Sequence, residues 1–411
     1  MRRLLLILSF VVLTFVSWGL YGPVLHAGQL HLGDGVHPSS LRPFICVGLA
    51  YFLIAVVVPL IALRTNEEQG SWTVMGAVWA LLGGAVSALG ALGVVLAFKF
   101  RGSPVYVMPL VFGLAPVVTT FVSMWLGQTL KEASPLFFAG VILVAVGAAG
   151  VLSFKPAHAA RPPVPASDES GTGAALATEP AAAGSQASAM EKLVKIPLCI
   201  ALAALCWGSY GPILHKGQMR MAGSHLRPFL CVGLAYFVMA VLLPLPLLQV
   251  FREPGGFTFS GTAWSLAGGA AGAIGALGIV LAFKFGGKPV YVMPLVFGGA
   301  PVVNTFTAVR AEGAHGGLSP LFLASLIVLI AGAAAVLVFA PRQAKAAVEP
   351  KAAEPPEPEP PEPAKEEPQP HPDESAPDDR SRSESSSSDG PNEDEEDTYF
   401  DEDTMLRPDE S

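Results

Sequence analysis

Aromatic and hydrogen-bonding side chains recur in a twelve-residue motif that this sequence carries twice. The motif reads WGLYGPVLHAGQ from Trp18 and WGSYGPILHKGQ from Trp207. Its tyrosine, histidine and glutamine side chains supply hydrogen-bonding groups beside an indole ring. If the second copy is inverted, the two motifs lie at opposite membrane faces and form paired gates or the two mouths of a cavity; the alternative is interfacial aromatics with ordinary caps. The candidate contacts are Trp18, Tyr21, His26, Gln29, Trp207, Tyr210, His215 and Gln218. Each Gly-Pro pair in the motif is expected to break or bend its helix, and the motif is expected to end that helix.

A second duplicated segment is rich in proline. Residues 104–118 and 289–303 read PVYVMPLVFGLAPVV and PVYVMPLVFGGAPVV, with one difference between them. Interior prolines free backbone carbonyls, which at membrane depth need a neighbouring group, water or solute as partner. The candidate solute contacts around Pro116 and Pro301 are Phe112, Thr119, Thr120, Phe297, Asn304 and Thr305. Thr119 is predicted to face Asn304 across the two copies. The copies differ in residue type at this position, either because an asymmetric solute binds there or because the position only packs.

Charged side chains are scarce among the candidates. No Asp or Glu falls within any predicted membrane span, so a mechanism that depends on buried acids has little support. Lys99 and Lys284 can attract an anionic solute or extend to the lipid headgroups. His26 and His215 are the candidates for proton transfer. Because no nucleophile motif, phosphate loop or metal cluster occurs, we expect no enzyme activity, cofactor, metal or nucleic-acid partner.

These residues belong to two copies of one unit, related by an offset of 185 residues after a four-residue deletion. Hydrophobic residues make up 52% of the chain and charged residues 14%, a balance that predicts an all-α integral membrane protein. Ten apolar stretches are long enough to span a bilayer. They lie near 4–24, 43–63, 73–98, 104–126, 135–154, 194–214, 228–250, 260–284, 289–310 and 319–340.

An odd number of spans in each copy predicts that the second copy enters the membrane from the opposite side. The fold class is therefore ten transmembrane helices as two inverted five-helix repeats. With both termini cytoplasmic, the cytoplasmic segments to Lys351 hold 12 Lys and Arg against 9 on the other side. This excess favours a multi-pass protein of the cell membrane in that orientation. The N-terminal stretch resembles a signal peptide, but its counterpart lies in mid-chain, so we interpret it as the first span.

The predicted domains are the first repeat at 1–154, a flexible linker at 155–193, the second repeat at 194–341 and a disordered tail at 342–411. The tail and the residue before it hold 7 Lys and Arg against 23 Asp and Glu, so the acidity of the chain resides there. Such a tail is either solvated or a docking site for a cytoplasmic partner. The four cysteines lie in apolar runs and are expected to be small buried hydrophobes.

The duplication and one further stretch resemble a known family. LVFGLAPVVTTFVSMWLGQTLKEASPLFFAGVILVAVGAAGVL is similar to the proline-containing fourth helix, polar loop and fifth helix of the EamA-like permeases of the drug/metabolite transporter superfamily. The resemblance covers roughly residues 4–154 and 194–340. Gln128 stands where that family usually has an acidic residue, and the second copy lacks the Leu-Gly pair before it. The resemblance implies a carrier of small organic metabolites.

Inverted repeats and the resemblance together predict a secondary transporter that moves a small organic metabolite by alternating access. Its expected partners are that solute and membrane lipid. Two other functions remain open from the sequence. One is a membrane sensor or scaffold that acts through the acidic tail, and the other is a flippase for a lipid-linked group.

Overall fold

The computed structural model describes residues 2–34, 37–65, 68–156, 181–312 and 318–341. Within these residues, ten helices are long and apolar enough to cross a membrane, and no strand occurs. The helices are α1 (Arg2–Leu32), α2 (Leu41–Thr65), α3 (Val74–Lys99), α4 (Pro104–Gly127), α5 (Pro135–Ser153), α6 (Leu193–Arg220), α7 (Leu226–Phe251), α8 (Phe259–Lys284), α9 (Pro289–Ala311) and α10 (Pro320–Phe339). The protein is therefore an all-helical multi-pass membrane protein, as the composition predicted.

Local sequence signals fix where several helices begin. Thr73 and Thr258 precede α3 and α8, and each hydroxyl accepts a hydrogen bond from the backbone N–H three residues later, at 3.1 Å in both cases. Ser134 and Ser319 cap α5 and α10 in the same way. Because the first N–H groups of a helix have no internal partner, such caps are stabilising. The caps occur at equivalent positions in the two copies of the sequence.

Two features of the helices differ from the expected boundaries. The helices α1 and α6 do not end at the twelve-residue motif but continue through Pro23 and Pro212 to Leu32 and Arg220. The predicted linker is helical from Ala181, since α6 is the membrane part of a helix that begins there. The remainder of that linker, apart from residues 155–156, and the whole predicted tail lie outside the described residues.

Helices from the two copies pack against each other more than within either copy. The helix α1 packs chiefly on α8 and α9, and α6 packs in the equivalent way on α3 and α4. The helix α5 packs on α10, and α2 contacts α7. The two copies therefore share one core, and many side chains that face lipid are large and apolar, as a bilayer requires.

Equivalent residues of the two copies also touch one another. The rings of Tyr51 and Tyr236 stack in parallel with their centroids 3.8 Å apart, and those of Phe52 and Phe237 lie 4.6 Å apart. A residue meets its own counterpart only close to an axis that relates the two copies. These aromatic contacts lie where α2 and α7 cross, next to short π-helical segments at Leu53–Val57 and Val238–Leu242.

The bundle has two ends, distinguished by the polar clusters there. Lys99 ends α3 and lies beside Ser40 and Glu253, and we call this the first end. Glu68 precedes α3 and contacts residues 224–227, and we call this the second end. A 26-residue helix is about 39 Å long at a rise of about 1.5 Å per residue, so α3 separates the two clusters by a membrane thickness.

Candidate functional site

A cavity lined by aromatic side chains lies inside the bundle. About 60 Å³ is free within it, which is room for a few water molecules. Eight of its lining residues are four pairs of aromatic side chains at equivalent positions in the two copies. These are Trp18 and Trp207, Tyr21 and Tyr210, Tyr51 and Tyr236, and Phe112 and Phe297. Ser87, Gly272 and Ala276 complete the lining, so no charged side chain takes part in it.

The tryptophan rings are held by the opposite copy. Trp18 Nε1 donates to the Gly272 carbonyl at 3.1 Å, and Trp207 Nε1 donates to the Ser87 carbonyl at 3.0 Å. Because positions 87 and 272 are equivalent, the two hydrogen bonds form a matched pair. The glycines at 90 and 275 are needed for it, since a Cβ atom at either position would overlap a tryptophan ring. Trp18 also stacks on Phe112 at 6.2 Å between centroids.

The cavity has little free hydrogen-bonding capacity. The indole N–H groups are satisfied by backbone, and the hydroxyls of Ser87 and Tyr236 bond each other at 3.0 Å. Tyr21 is 3% exposed, and its hydroxyl has no hydrogen-bond partner among the described residues. A buried hydroxyl without a partner is costly, so the Tyr21 hydroxyl is a polar group that a bound molecule would satisfy.

The first end of the bundle is tightly packed above this cavity. Asn304 Nδ2 in α9 donates to the Pro104 carbonyl in α4 at 2.7 Å. Gln29 is fully buried, and its Nε2 donates to the carbonyls of Ser39 at 2.9 Å and Val95 at 3.0 Å. A Cβ atom at Gly22 would collide with Met108 and with Asn304, so α1, α4 and α9 are in close contact here.

The second end lacks the equivalent contacts. Gly211 corresponds to Gly22, yet nothing lies within 4 Å of the position that its Cβ atom would take. Thr119 corresponds to Asn304, and it donates to the Gly208 carbonyl of α6 at 2.9 Å instead of reaching across to the first turn of α9. His215 is exposed and Gln218 is half-buried, whereas Gln29 at the first end is sealed in. The cavity is therefore less closed toward the second end.

The duplicated proline segment shows the same difference between the ends. Leu110 is 1% exposed and its counterpart Leu295 is 46% exposed, although both lie in the same ten-residue sequence, PVYVMPLVFG. Tyr106 is buried and Tyr291 is half-buried in the same comparison. Since identical sequence has different surroundings, the difference is one of arrangement and not of residue type.

An ionic cluster lies at the first end. The carboxylate of Glu253 accepts hydrogen bonds from the hydroxyls of Ser39 at 2.8 Å and Ser40 at 2.5 Å and from the first backbone N–H groups of α2. Arg42 and Lys99 lie 3.8 and 3.7 Å from it. Burial by itself raises the pKa of Glu253, but the hydrogen bonds from Ser40, Ser39 and Leu41 outweigh that effect, and the pKa lies below its ordinary value.

The second end has a counterpart of this cluster with one substitution. Glu68 accepts from the Ser224 hydroxyl at 2.8 Å and from the backbone N–H of His225 at 3.0 Å, and Arg227 lies 3.6 Å away. His225 occupies the position of Ser40. Burial lowers the pKa of the His225 imidazole, nearby Glu68 opposes that shift, and His215 and Lys284 add to it. The acid of each copy thus caps a helix of the other copy.

The structure gathers six of the sixteen sequence-predicted contacts in the cavity. These six are Trp18, Tyr21, Phe112, Trp207, Tyr210 and Phe297. His26, Gln29 and Lys99 lie toward the first end, with the His26 ring 5.2 Å from that of Phe98. His215, Gln218 and Lys284 lie toward the second end.

The predicted polar pair around the interior prolines does not form. Thr119 and Asn304 bond to different helices and neither lines the cavity. Thr120 donates to the Pro116 carbonyl of its own helix at 2.8 Å, and Thr305 is buried outside the lining. The structure therefore places these threonine and asparagine side chains between packed helices and outside the lining of the cavity, in keeping with the packing alternative.

Sequence reasoning missed the most central pair. Tyr51 and Tyr236 belong to the duplicated LRPFxCVGLAYF stretch, where they look like ordinary apolar neighbours. The duplication itself was the available signal, because two copies that pack together place some residues against their own counterparts. The described residues contain no group of His, Cys, Asp and Glu that could hold a metal ion.

Comparison with known proteins leaves the family open: no family model and no curated protein matches this chain.

Proposed function

We propose that this protein is a secondary transporter that carries a small organic solute through its central aromatic cavity by alternating access. The proposal includes two inverted five-helix repeats, a place among EamA-like permeases, and a cell-membrane location with both termini cytoplasmic. In that orientation the first end faces outward and the described state opens toward the cytoplasm.

The observation that carries this proposal is the unequal burial of identical segments at the two ends. Two copies that can exchange their arrangements give two states of similar energy, each closed at one end. The first end supplies the geometry of the closed state, with Asn304 bonded to Pro104 and Gly22 packed on Met108. The second end supplies the geometry of the open state. Because the two ends have nearly the same sequence, each end can take the closed geometry in one state and the open geometry in the other.

The cavity supports this reading by its position. It lies between the two copies and is lined by equivalent residues of both, so it is exposed to one end or the other as the copies move. A free volume of about 60 Å³ is smaller than most metabolites. Solute binding therefore requires the aromatic rings to separate. The helices at the second end can move apart to allow this, because they lack the tight contacts of the first end.

A sided labelling experiment tests the proposal without knowledge of the solute. Ala276, which lines the cavity, is replaced by cysteine in a chain whose four native cysteines are replaced by alanine. A small membrane-impermeant thiol reagent is applied from either side of oriented vesicles. Alternating access predicts labelling from both sides, more slowly through the first end.

Cross-linking then separates the two routes. Ser103 and Glu312 hydrogen-bond each other at the first end, at 2.6 Å between side-chain oxygens, and their cysteine variants can be joined by a short bifunctional reagent. The cross-link should abolish labelling through the first end and leave labelling through the second end intact. Labelling from one side only, in every condition, would contradict a transporter and favour a receptor or scaffold.

A further inference from the structure

The chemistry of the cavity wall restricts what it can hold. We infer that the solute is uncharged, with a flat apolar face and one group that hydrogen-bonds Tyr21. This inference rests on the proposed function, since it concerns the same cavity. Eight aromatic rings surround the free space, and the lining contains neither a carboxylate nor a cationic side chain.

Net charge is excluded on energetic grounds. Transfer of an ion into an apolar site without a countercharge is strongly unfavourable. An anion would also face the negative faces of the aromatic rings. Cation–π contacts can hold a cation in such a site, but Lys284 lies at the second end, through which the cavity is less closed, and the carboxylate of Glu68 there is already paired with Arg227. A cation would have to pass the ammonium group of Lys284, and the cavity lining contains no carboxylate to pair with it.

Flat apolar solutes fit the wall because offset stacking and edge contacts with aromatic rings are favourable. Trp18 and Phe112 already stack with an angle of 11° between their planes, and a planar solute can enter such a stack. The Tyr21 hydroxyl is buried beside them without a partner among the described residues. A single donor or acceptor on the solute would satisfy it.

A matched series of probes tests the charge class. Indole, tryptamine and indole-3-acetate share one ring system and are neutral, cationic and anionic at pH 7.5. Each is measured for protection of the Ala276→Cys thiol against alkylation in purified protein. Indole should protect at concentrations at least tenfold lower than either charged probe, and an exposed Ser71→Cys control should be unaffected by all three.

The tyrosine is tested with the same readout. Tyr21→Phe should weaken protection by indole about fivefold to tenfold, the effect of one hydrogen bond. Tyr291→Phe alters a half-buried tyrosine outside the lining and should change nothing. Stronger protection by tryptamine or by indole-3-acetate, equal effects of both tyrosine variants, or no protection by indole each overturns the inference. Two-sided labelling of Ala276→Cys tests transport independently, because no solute is present in that experiment.

A second, independent observation concerns the second end. We infer that protonation of His225 prevents this end from closing. The closed first end is the template: Lys99 Nζ donates to the Ser40 hydroxyl at 3.1 Å. The equivalent pair at the second end is Lys284 and His225, so closure there brings an ammonium group onto an imidazole ring. A neutral imidazole nitrogen can accept that hydrogen bond, whereas a protonated ring repels it.

The surroundings of His225 fit this role. Its Nδ1 atom is buried and has no hydrogen-bond partner among the described residues. The charged and titratable groups that act on the ring are Glu68, His215 and Lys284, with Arg227 held in the ion pair with Glu68. Burial already lowers the pKa of this histidine in the open arrangement, and the approach of Lys284 would lower it further. Closure therefore releases a proton, and a higher pH favours closure.

Distance measurements at varied pH test this gate. Spin labels at Trp125 and Lys288, both exposed at the second end, report how far it is open. The short-distance population should grow as the pH rises through the pKa of His225. His225→Ser copies the first end and should remove this dependence, while His215→Ala should keep it. Ser40→His should confer a similar dependence on labels at the first end. A pH-independent wild type, or a His225→Ser variant with an unchanged pH dependence, overturns the inference.

Discussion

At the scale of single residues, two of the acids outside the spans have the clearest structural roles. Glu253 and Glu68 each cap a helix of the opposite copy, 212 and 158 residues away in sequence for their bonds to Leu41 and Leu226. The sequence shows both acids, but no local pattern reveals their partners, because such contacts arise only after the helices pack. By contrast, the tryptophan and tyrosine of each twelve-residue motif share a helix face because of their spacing. The motifs were expected at opposite membrane faces, but these four side chains line one cavity.

The Glu253 cap makes a testable contribution to stability. Glu253→Gln should lower the unfolding free energy by about 1–3 kcal/mol near pH 7, because a carboxylate that accepts several hydrogen bonds becomes a neutral amide. Thermal unfolding in detergent measures this. Glu132→Gln, at an exposed residue of the short helix Leu130–Glu132, is the matched control and should have little effect.

The pH dependence of that contribution follows from the lowered pKa. A carboxyl with a depressed folded-state pKa stabilises fully above its unfolded value of about 4.3 and loses the contribution as pH falls through the folded value. The difference in melting temperature between wild type and Glu253→Gln should therefore shrink on acidification. A difference that stays constant to low pH would show that charge at Glu253 is irrelevant.

At the scale of helices, apolar stretches of about 20 residues predicted ten spans near the observed positions. The extension of α1 and α6 through proline was missed, because a proline in mid-helix is tolerated when neighbouring helices satisfy the freed carbonyl. The pairing of α1 with α8 was also beyond local reasoning. The glycines of α3 and α8 favour close helix packing, but their spacing does not identify the partner helix.

A glycine pair tests this packing. Gly275→Ala should displace the Trp18 ring and weaken its hydrogen bond to Gly272, at a cost of about 1–3 kcal/mol, as overpacking typically has. Gly83→Ala lies on α3, where the nearest atom to the added Cβ is 3.5 Å away, and should be neutral or slightly stabilising. Thermal unfolding and tryptophan fluorescence report both effects. Equal destabilisation by the two variants would contradict the packing described for Trp18.

At the scale of the whole molecule, the two ends differ although their sequences nearly agree. No sequence analysis predicts this, because identical segments carry identical propensities. The difference lies in how tightly the helices pack at each end, and in this state they are packed at the first end. A transporter with two such copies needs both arrangements to be accessible, and single residues at the two ends can bias the balance.

Gly22 and Gly211 allow that balance to be shifted. Gly211→Ala adds a methyl group in open space here, but after closure of the second end it would meet Met293 and Thr119, the counterparts of Met108 and Asn304. It should therefore leave thermal stability unchanged and stop labelling of Ala276→Cys through the first end. Gly22→Ala should weaken the first-end seal and increase that labelling. Opposite results for the two variants would contradict the equivalence of the ends.

The most direct measurement follows both ends of the bundle at once. Spin labels at Arg101 and Arg310 report the first end, and labels at Trp125 and Lys288 report the second end, all in membrane-reconstituted protein. Alternating access predicts two distance populations at each end, with opposite occupancies: conditions that lengthen the first-end distance shorten the second-end distance. A single fixed distance at both ends, or lengthening of both together, would contradict the account.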